Sequence, residues 1–172
     1  DLWLSKKLER QVRLFEERDD IDFIYTNFFC LKNGVKKIYF RKPNPEGRVF
    51  REFLYTNFAA LLTVMIRRSS VEAFSEFFDV NLKLCEEYEF FMRVLYNSKA
   101  GYIKEPLAIY RIHKDMGSLK LIERWPYEMA YILNKFSQLY KNFDEDHKKE
   151  ISYMRAKIAY YKARVEMAGS DR

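Results

Sequence analysis

The chain has 172 residues, about one domain's worth, of which 48% are hydrophobic, 17% aromatic and 33% charged. The load of Tyr and Phe excludes intrinsic disorder, and 5 Gly with 4 Pro exclude a low-complexity linker. A net charge of +6 favours anionic partners, yet Lys and Arg come as scattered pairs rather than as a basic run.

The chain opens on Asp1 and reaches Lys6-Lys7 at once, so no secretory leader is expected. The longest mostly apolar run, Phe58 to Ile66, falls well short of the ~20 residues that span a bilayer. Cys30 and Cys85 make no disulfide framework and point to a reducing, cytoplasmic compartment. Ser5 is placed to cap a helix whose apolar positions are Leu8, Val12 and Phe15, ending near Asp19-Asp20. Ile21 to Leu31 is β-branched and aromatic, and Asn33-Gly34 joins it to Val35–Phe40 as a hairpin. Pro43, Pro45 and Gly47 make a loop. Val49–Tyr55 reads as a short helix, Leu61–Ile66 as a buried strand, and Ser69 or Ser70 as the cap of a helical turn. Glu86–Tyr96 is a helix with Phe90, Phe91, Val94 and Leu95 on its apolar face. Gly101–Ile103 and Ala108–Ile112 read as two short strands flanking Glu105-Pro106. Two amphipathic helices, about 119–141 and 146–167, follow.

Chemistry concentrates at two places. Glu86-Glu87 opens a helix, where the macrodipole favours ionised carboxylates. A carboxylate held there and reaching into a cleft can act as a general base. Acidic residues also favour first helical turns for stability alone, so the pair by itself leaves both readings open. His113 follows a strand, where an imidazole can ligate a metal or touch a phosphate. With two histidines in the chain and no Cys or His at ligand spacing, a self-contained zinc site is excluded. There is no Gly-rich phosphate loop and no G-x-S-x-G elbow.

Several ordered blocks resemble the second half of a family 2 glycosyltransferase. Asp1–Val12 (DLWLSKKLERQV) resembles the segment just after that family's metal-binding D-x-D. Ile21–Phe29 resembles the next strand, and Asn57–Ser69 (NFAALLTVMIRRS) the stretch leading to the acceptor side. Phe77–Val94 (FFDVNLKLCEEYEFFMRV) is similar to the family's F-D-E-x-L followed by E-D-Y-D-x-x-x-R, and Glu105–His113 (EPLAIYRIH) to its closing E-P-L-x-x-Y-R-x-H. The resemblance covers residues 1 to about 118 and implies an α/β fold. That fold is a partial GT-A-like domain over 1–118, its nucleotide-binding half missing, followed by a C-terminal helical hairpin over 119–172. It also implies an inverting enzyme of cell-envelope polysaccharide synthesis, using a nucleotide-sugar donor, a glycan or lipid-linked acceptor, and Mg²⁺ or Mn²⁺. Residue by residue, Glu87 falls at the catalytic Asp with Glu86 beside it. Arg93 and Arg111 fall at substrate-binding positions, and His113 where some members place a histidine near the metal.

Glu87 in place of Asp lies one methylene further out, and a misplacement of about 1 Å can lower a rate ~100-fold. Because the D-x-D lies outside these residues, the chain alone is expected to be inactive. The alternative is a non-catalytic basic module that binds nucleic acid or a protein partner. Its aromatics in FIYTNFF and EYEFF, however, fall at core periodicity and are not interleaved with Arg or Lys on one face, so no nucleic acid partner is expected. Tyr153, Lys157, Tyr160, Tyr161, Lys162 and Arg164 give the last helix a basic, amphipathic surface that packing back onto the domain accounts for first, with peripheral membrane contact or pairing with another subunit as the alternatives.

Overall fold

The computed structural model describes residues 1–170. It is an α/β structure with a mixed five-stranded sheet and, among the described residues, seven α-helices. Two compact units divide the chain, residues 1–77 with 90–114 and residues 78–89 with 115 onward. Segment 78–89, grouped by its sequence with the first 118 residues, thus belongs to the helical unit. The reason is electrostatic: carboxylate and ammonium groups of the later helices hold it.

In the first unit the sheet runs in the order β1 (Leu2–Trp3), β5 (Ala100–Arg111), β2 (Phe23–Lys32), β3 (Val35–Ile38). β4 (Met65–Ile66) pairs with the start of β2. Strand β2 has neighbours on both edges, and Phe23 to Phe28 are buried without alternation, as expected of a central strand. The β2–β3 hairpin turns at Asn33 and Gly34, with φ of 50° and 79°. Two consecutive left-handed residues are what a two-residue turn of the type I′ kind requires.

β5 runs parallel to β2 as one strand of 12 residues, not two short ones. The interruption seen in the sequence at Glu105-Pro106 is a register shift: Thr26 faces Ile103, but Asn27 faces Pro106. Proline has no N–H to give the ladder, so it is accommodated at a bulge. Asn27, on β2 opposite the bulge, is 1% exposed, and its side chain is bonded to its neighbour Phe28 and to Phe40 beyond β3. Its amide donates to Phe40 O, and its Oδ1 accepts from the N–H of Phe28 and Phe40 at 2.9 and 3.0 Å.

Helix α1 (Lys7–Glu17) follows Lys6 without a side-chain cap, so Ser5 does not cap it. Leu8 and Val12 are 49% and 46% exposed, and the buried stripe is Lys7 and Gln11 instead. Lys7 Nζ donates to Gln11 Oε1, and Gln11 Nε2 to Thr63 O, which satisfies the polar ends. Burial lowers the Lys7 ammonium to about 8. Gly101 lies close under this helix: a Cβ there would sit 3.2 Å from Leu14 Cδ2 and 2.7 Å from Ile21 Cδ1, so those side chains would have to shift.

Helix α2 (Phe50–Tyr55) forms where expected. The expected strand 61–66 is a 3₁₀ turn at Leu61–Thr63 followed by two-residue β4, and Leu61 is exposed. The turn after it is likewise 3₁₀, over Arg68–Ser70. The core of this unit gathers Phe23, Phe53, Phe58 and Phe91; the Phe23 and Phe91 rings meet edge-on at 5.2 Å.

The second unit contains α4 (Gly117–Lys120), α5 (Trp125–Leu139), α6 (Phe143–Asp146) and α7 (Lys148–Ser170). Pro126 lies in the first turn of α5, where a missing N–H is harmless. Met129, Ile132, Leu133 and Phe136 of α5 are buried, as are Ile151, Met154 and Ile158 of α7. Each set repeats at three and four residues, the signature of one buried helix face. Helix α3 (Glu86–Asn97) starts in this unit and continues into the first.

Candidate functional site

The turn before α3 is fixed by a residue far along the chain. Glu128 of α5, its side chain 6% exposed, accepts the backbone N–H groups of Lys83, Leu84 and Cys85 at 2.9–3.2 Å. Backbone N–H groups ahead of a helix have no partner within it, and one carboxylate serves all three. Arg124 Nε donates to Glu128 Oε1 at 2.9 Å. Burial pushes the Glu128 carboxyl up, but Arg124 and the three N–H groups outweigh it and hold the group below its ordinary range.

Close by, Lys135 Nζ lies 2.7 Å from Asp79 Oδ2 and 3.0 Å from Glu89 Oε1. Tyr131 and Asn81 also donate to Asp79. Burial works against the Asp79 carboxylate, and these hydrogen bonds, that of Lys135 first, still hold it below the usual range. Segment 78–89 is therefore pinned at Asp79, at 83–85 and at Glu89.

On this support stand Glu86 and Glu87, both half-buried in the first turn of α3. The sequence argued that the helix N-terminus would favour their ionised forms. For Glu87 the structure reverses that expectation. Burial raises its pKa, the charges of Glu86 and Glu128 add to the rise, and its own backbone N–H opposes it only in part. Glu86 Oε2 is shielded from solvent and has no hydrogen-bond partner among the described residues. The Cys85 thiol records the same negative field: burial, with Glu128, Glu87 and Glu86, pushes it up to about 12. The turn thus presents a carboxylate made more basic than usual next to a carboxylate oxygen that lacks a donor. The first can accept a proton from a hydroxyl that reaches it.

The remaining sequence-derived candidates belong to the first unit. Arg93 lies further along α3 and is 7% exposed. Its guanidinium donates to Glu76 O and Phe77 O at 2.8 and 2.7 Å and lies over the rings of Phe74 and Phe90. These contacts employ it in fixing the 76–77 turn. Arg111 ends β5 with an exposed side chain, and its N–H donates to Asp1 Oδ1. His113 is exposed in the loop that follows. No group of three or more His, Cys, Asp or Glu among the described residues is arranged to hold a metal ion. An exposed lone imidazole is one ligand of the six or so that Mg²⁺ takes, so the residues present do not compose the metal site that the resemblance implies.

Sequence reasoning missed Glu128, Asp79 and Lys135. Glu128 follows Arg124 by four residues, a spacing that ordinarily marks a solvated surface pair. Only its 43–45-residue separation from the N–H groups it serves reveals its role. No helix of the described residues is long and apolar enough to cross a membrane. No protein-family model matches the chain, and comparison with curated proteins finds no match.

Proposed function

We propose that the chain is the acceptor-side part of an inverting family 2 glycosyltransferase of GT-A type, with Glu87 as general base. Glu87 takes the proton of an acceptor hydroxyl as that oxygen bonds to the anomeric carbon of a nucleotide-sugar. The bond from that carbon to the nucleoside diphosphate breaks on the opposite side. The observation that carries the reading is the pair opening α3: Glu87 with raised basicity, beside the donor-less Glu86 Oε2. A base works best with a pKa drawn toward the operating pH, and burial draws a carboxyl in that direction.

The order of elements supports the same reading. A short strand, a helix, a hairpin, a second helix, the carboxylate-bearing helix and a closing strand follow in the sequence of the resembling blocks. β1 lies at the edge of the sheet, and Leu2, Trp3, Leu8 and Val12 are all 46–58% exposed. Such an apolar edge suits continuation of the sheet by an upstream half carrying the D-x-D and the nucleotide site. Glu128 and Lys135 serve as positioning residues, fixing the turn from which Glu87 projects.

The test begins with the coding sequence upstream of Asp1, where an open frame with a D-x-D adjoining Asp1 is expected. In the protein so encoded, Glu87→Gln lowers kcat for sugar transfer by ~100-fold or more while nucleotide-sugar binding persists. Transfer at the wild-type rate by that variant, or a start codon with no such upstream region, overturns the proposal.

A further inference from the structure

We propose that the aromatic and basic face of α7 with Trp125 is a docking surface for an anionic lipid bilayer. Along α7, Tyr153, Lys157, Tyr160, Tyr161 and Arg164 recur at intervals of three and four residues and form one stripe. It flanks the buried stripe of Ile151, Met154 and Ile158.

Ring contacts make the face continuous. Lys157 Nζ lies 5.3 Å from the Trp125 ring, Trp125 meets Tyr161 at 5.1 Å, and Tyr161 meets Tyr160 at 5.3 Å. The Arg164 guanidinium closes the series 5.8 Å from Tyr160. Lys162 adds a further pair, over Tyr127 at 5.1 Å.

The cations of this face lie on aromatic rings rather than beside carboxylates. Lys120, Arg124, Lys135 and Arg155 each lie beside a carboxylate. Lys157, Lys162 and Arg164 lie on rings, and no carboxylate partner is found for them among the described residues. Their charge is therefore left for an external anion.

Two features favour a bilayer over a nucleic acid. The Trp125–Tyr161 and Tyr160–Tyr161 pairs pack edge to face, at 65° and 81°, and cations cover the faces of Trp125 and Tyr160. Flat platforms for base stacking are thereby used up. Tyr and Trp with an apolar body and a polar tip, flanked by long basic stems, suit the headgroup layer. Tyr160 and Tyr153 are 59% and 50% exposed, so the contact is peripheral and needs no unfolding of the hairpin.

The test uses the full chain with Trp3→Phe, which leaves Trp125 as the fluorophore. Vesicles of phosphatidylcholine alone are compared with vesicles that also contain phosphatidylglycerol. Co-flotation with the anionic vesicles only, a blue shift of Trp125 emission and weakening by salt are expected. Each charge removed lowers partitioning about five-fold, so Lys157→Gln with Arg164→Gln lowers it roughly 25-fold. Circular dichroism verifies the fold; if the double variant is misfolded, Arg164→Gln, at an exposed position, carries the test alone. Absence of flotation, equal flotation with neutral vesicles or partitioning unchanged in the folded variants overturns the proposal. So does binding of a single-stranded oligouridylate in preference to the anionic vesicles.

Discussion

Glu87 and Glu128 begin as the same carboxyl group and are driven to opposite sides of its ordinary range. Glu128 accepts three backbone N–H groups and an Arg124 hydrogen bond, which together outweigh its burial. Glu87 is half-buried beside two other carboxylates, and burial prevails. The folded state therefore holds the Glu87 proton more tightly than the unfolded chain does. Stability tied to that group is present below the ordinary glutamate range and is lost as pH rises through the folded-state value. Glu87→Gln is expected to raise Tm by a few degrees at pH 7, and the gain should close as pH falls to about 4. Thermal melts of both proteins across that interval check this. A variant less stable at pH 7 would mean that the carboxylate gains more from the helix N-terminus than it loses on burial. The same substitution that removes the base should thus strengthen the fold, a combination that separates loss of chemistry from loss of structure.

At the level of elements, the turn into α3 owes its shape to α5. Glu128→Ala leaves the N–H groups of Lys83, Leu84 and Cys85 without their acceptor and removes the Arg124 partner. The expected loss is about 2–4 kcal/mol. Glu128→Gln retains a carbonyl oxygen and should lose less; urea unfolding monitored by circular dichroism measures both. What the sequence disclosed follows the range of the forces involved. The β2–β3 hairpin, α3 and the α5–α7 pair rest on local turn chemistry and periodicity, and each was legible from neighbouring residues. The α1 stripe was misread because Lys7 and Gln11 are buried in place of Leu8 and Val12, with Thr63 O as the distant acceptor of the Gln11 amide. The single strand β5 was divided because Pro106 reads as a break. The parallel ladder to β2 nevertheless continues past it through a register shift. The carboxylate pair was visible as a first-turn signal, but not the sign of the shift at Glu87. That sign is set first by burial, to which the charges of Glu86 and of Glu128, 41 positions away, add. Periodicity finds elements; the long-range polar contacts that aim them leave no periodic trace.

For the molecule as a whole, a net charge of +6 means that protonating carboxylates adds repulsion to a chain that is already cationic. The buried groups most exposed to that loss are those held below their normal range, Asp79 and Glu128. For a depressed carboxyl the sign is the reverse of that at Glu87: its stabilisation is present above the unfolded-state value and disappears as pH falls through the folded one. Folding stability should therefore decline on acidification below about pH 4. Asp79→Asn should lose about 3 kcal/mol at pH 7, since a buried charge pair is broken from one side, and should show a shallower acid decline. Lys135→Met provides the opposing control. It deprives Asp79 and Glu89 of their shared cation, so two buried carboxylates confront each other without it. That variant should be least stable near neutrality and should recover relative to wild type as acid protonates one of the pair. Chemical denaturation at several pH values distinguishes the two slopes. Parallel curves for wild type and Lys135→Met would show that the ammonium acts through packing of its stem rather than through its charge. In that case the polar pinning of 78–89, and with it the placement of Glu87, would rest on Glu128 and on the hydrogen bond from Tyr131 to Asp79.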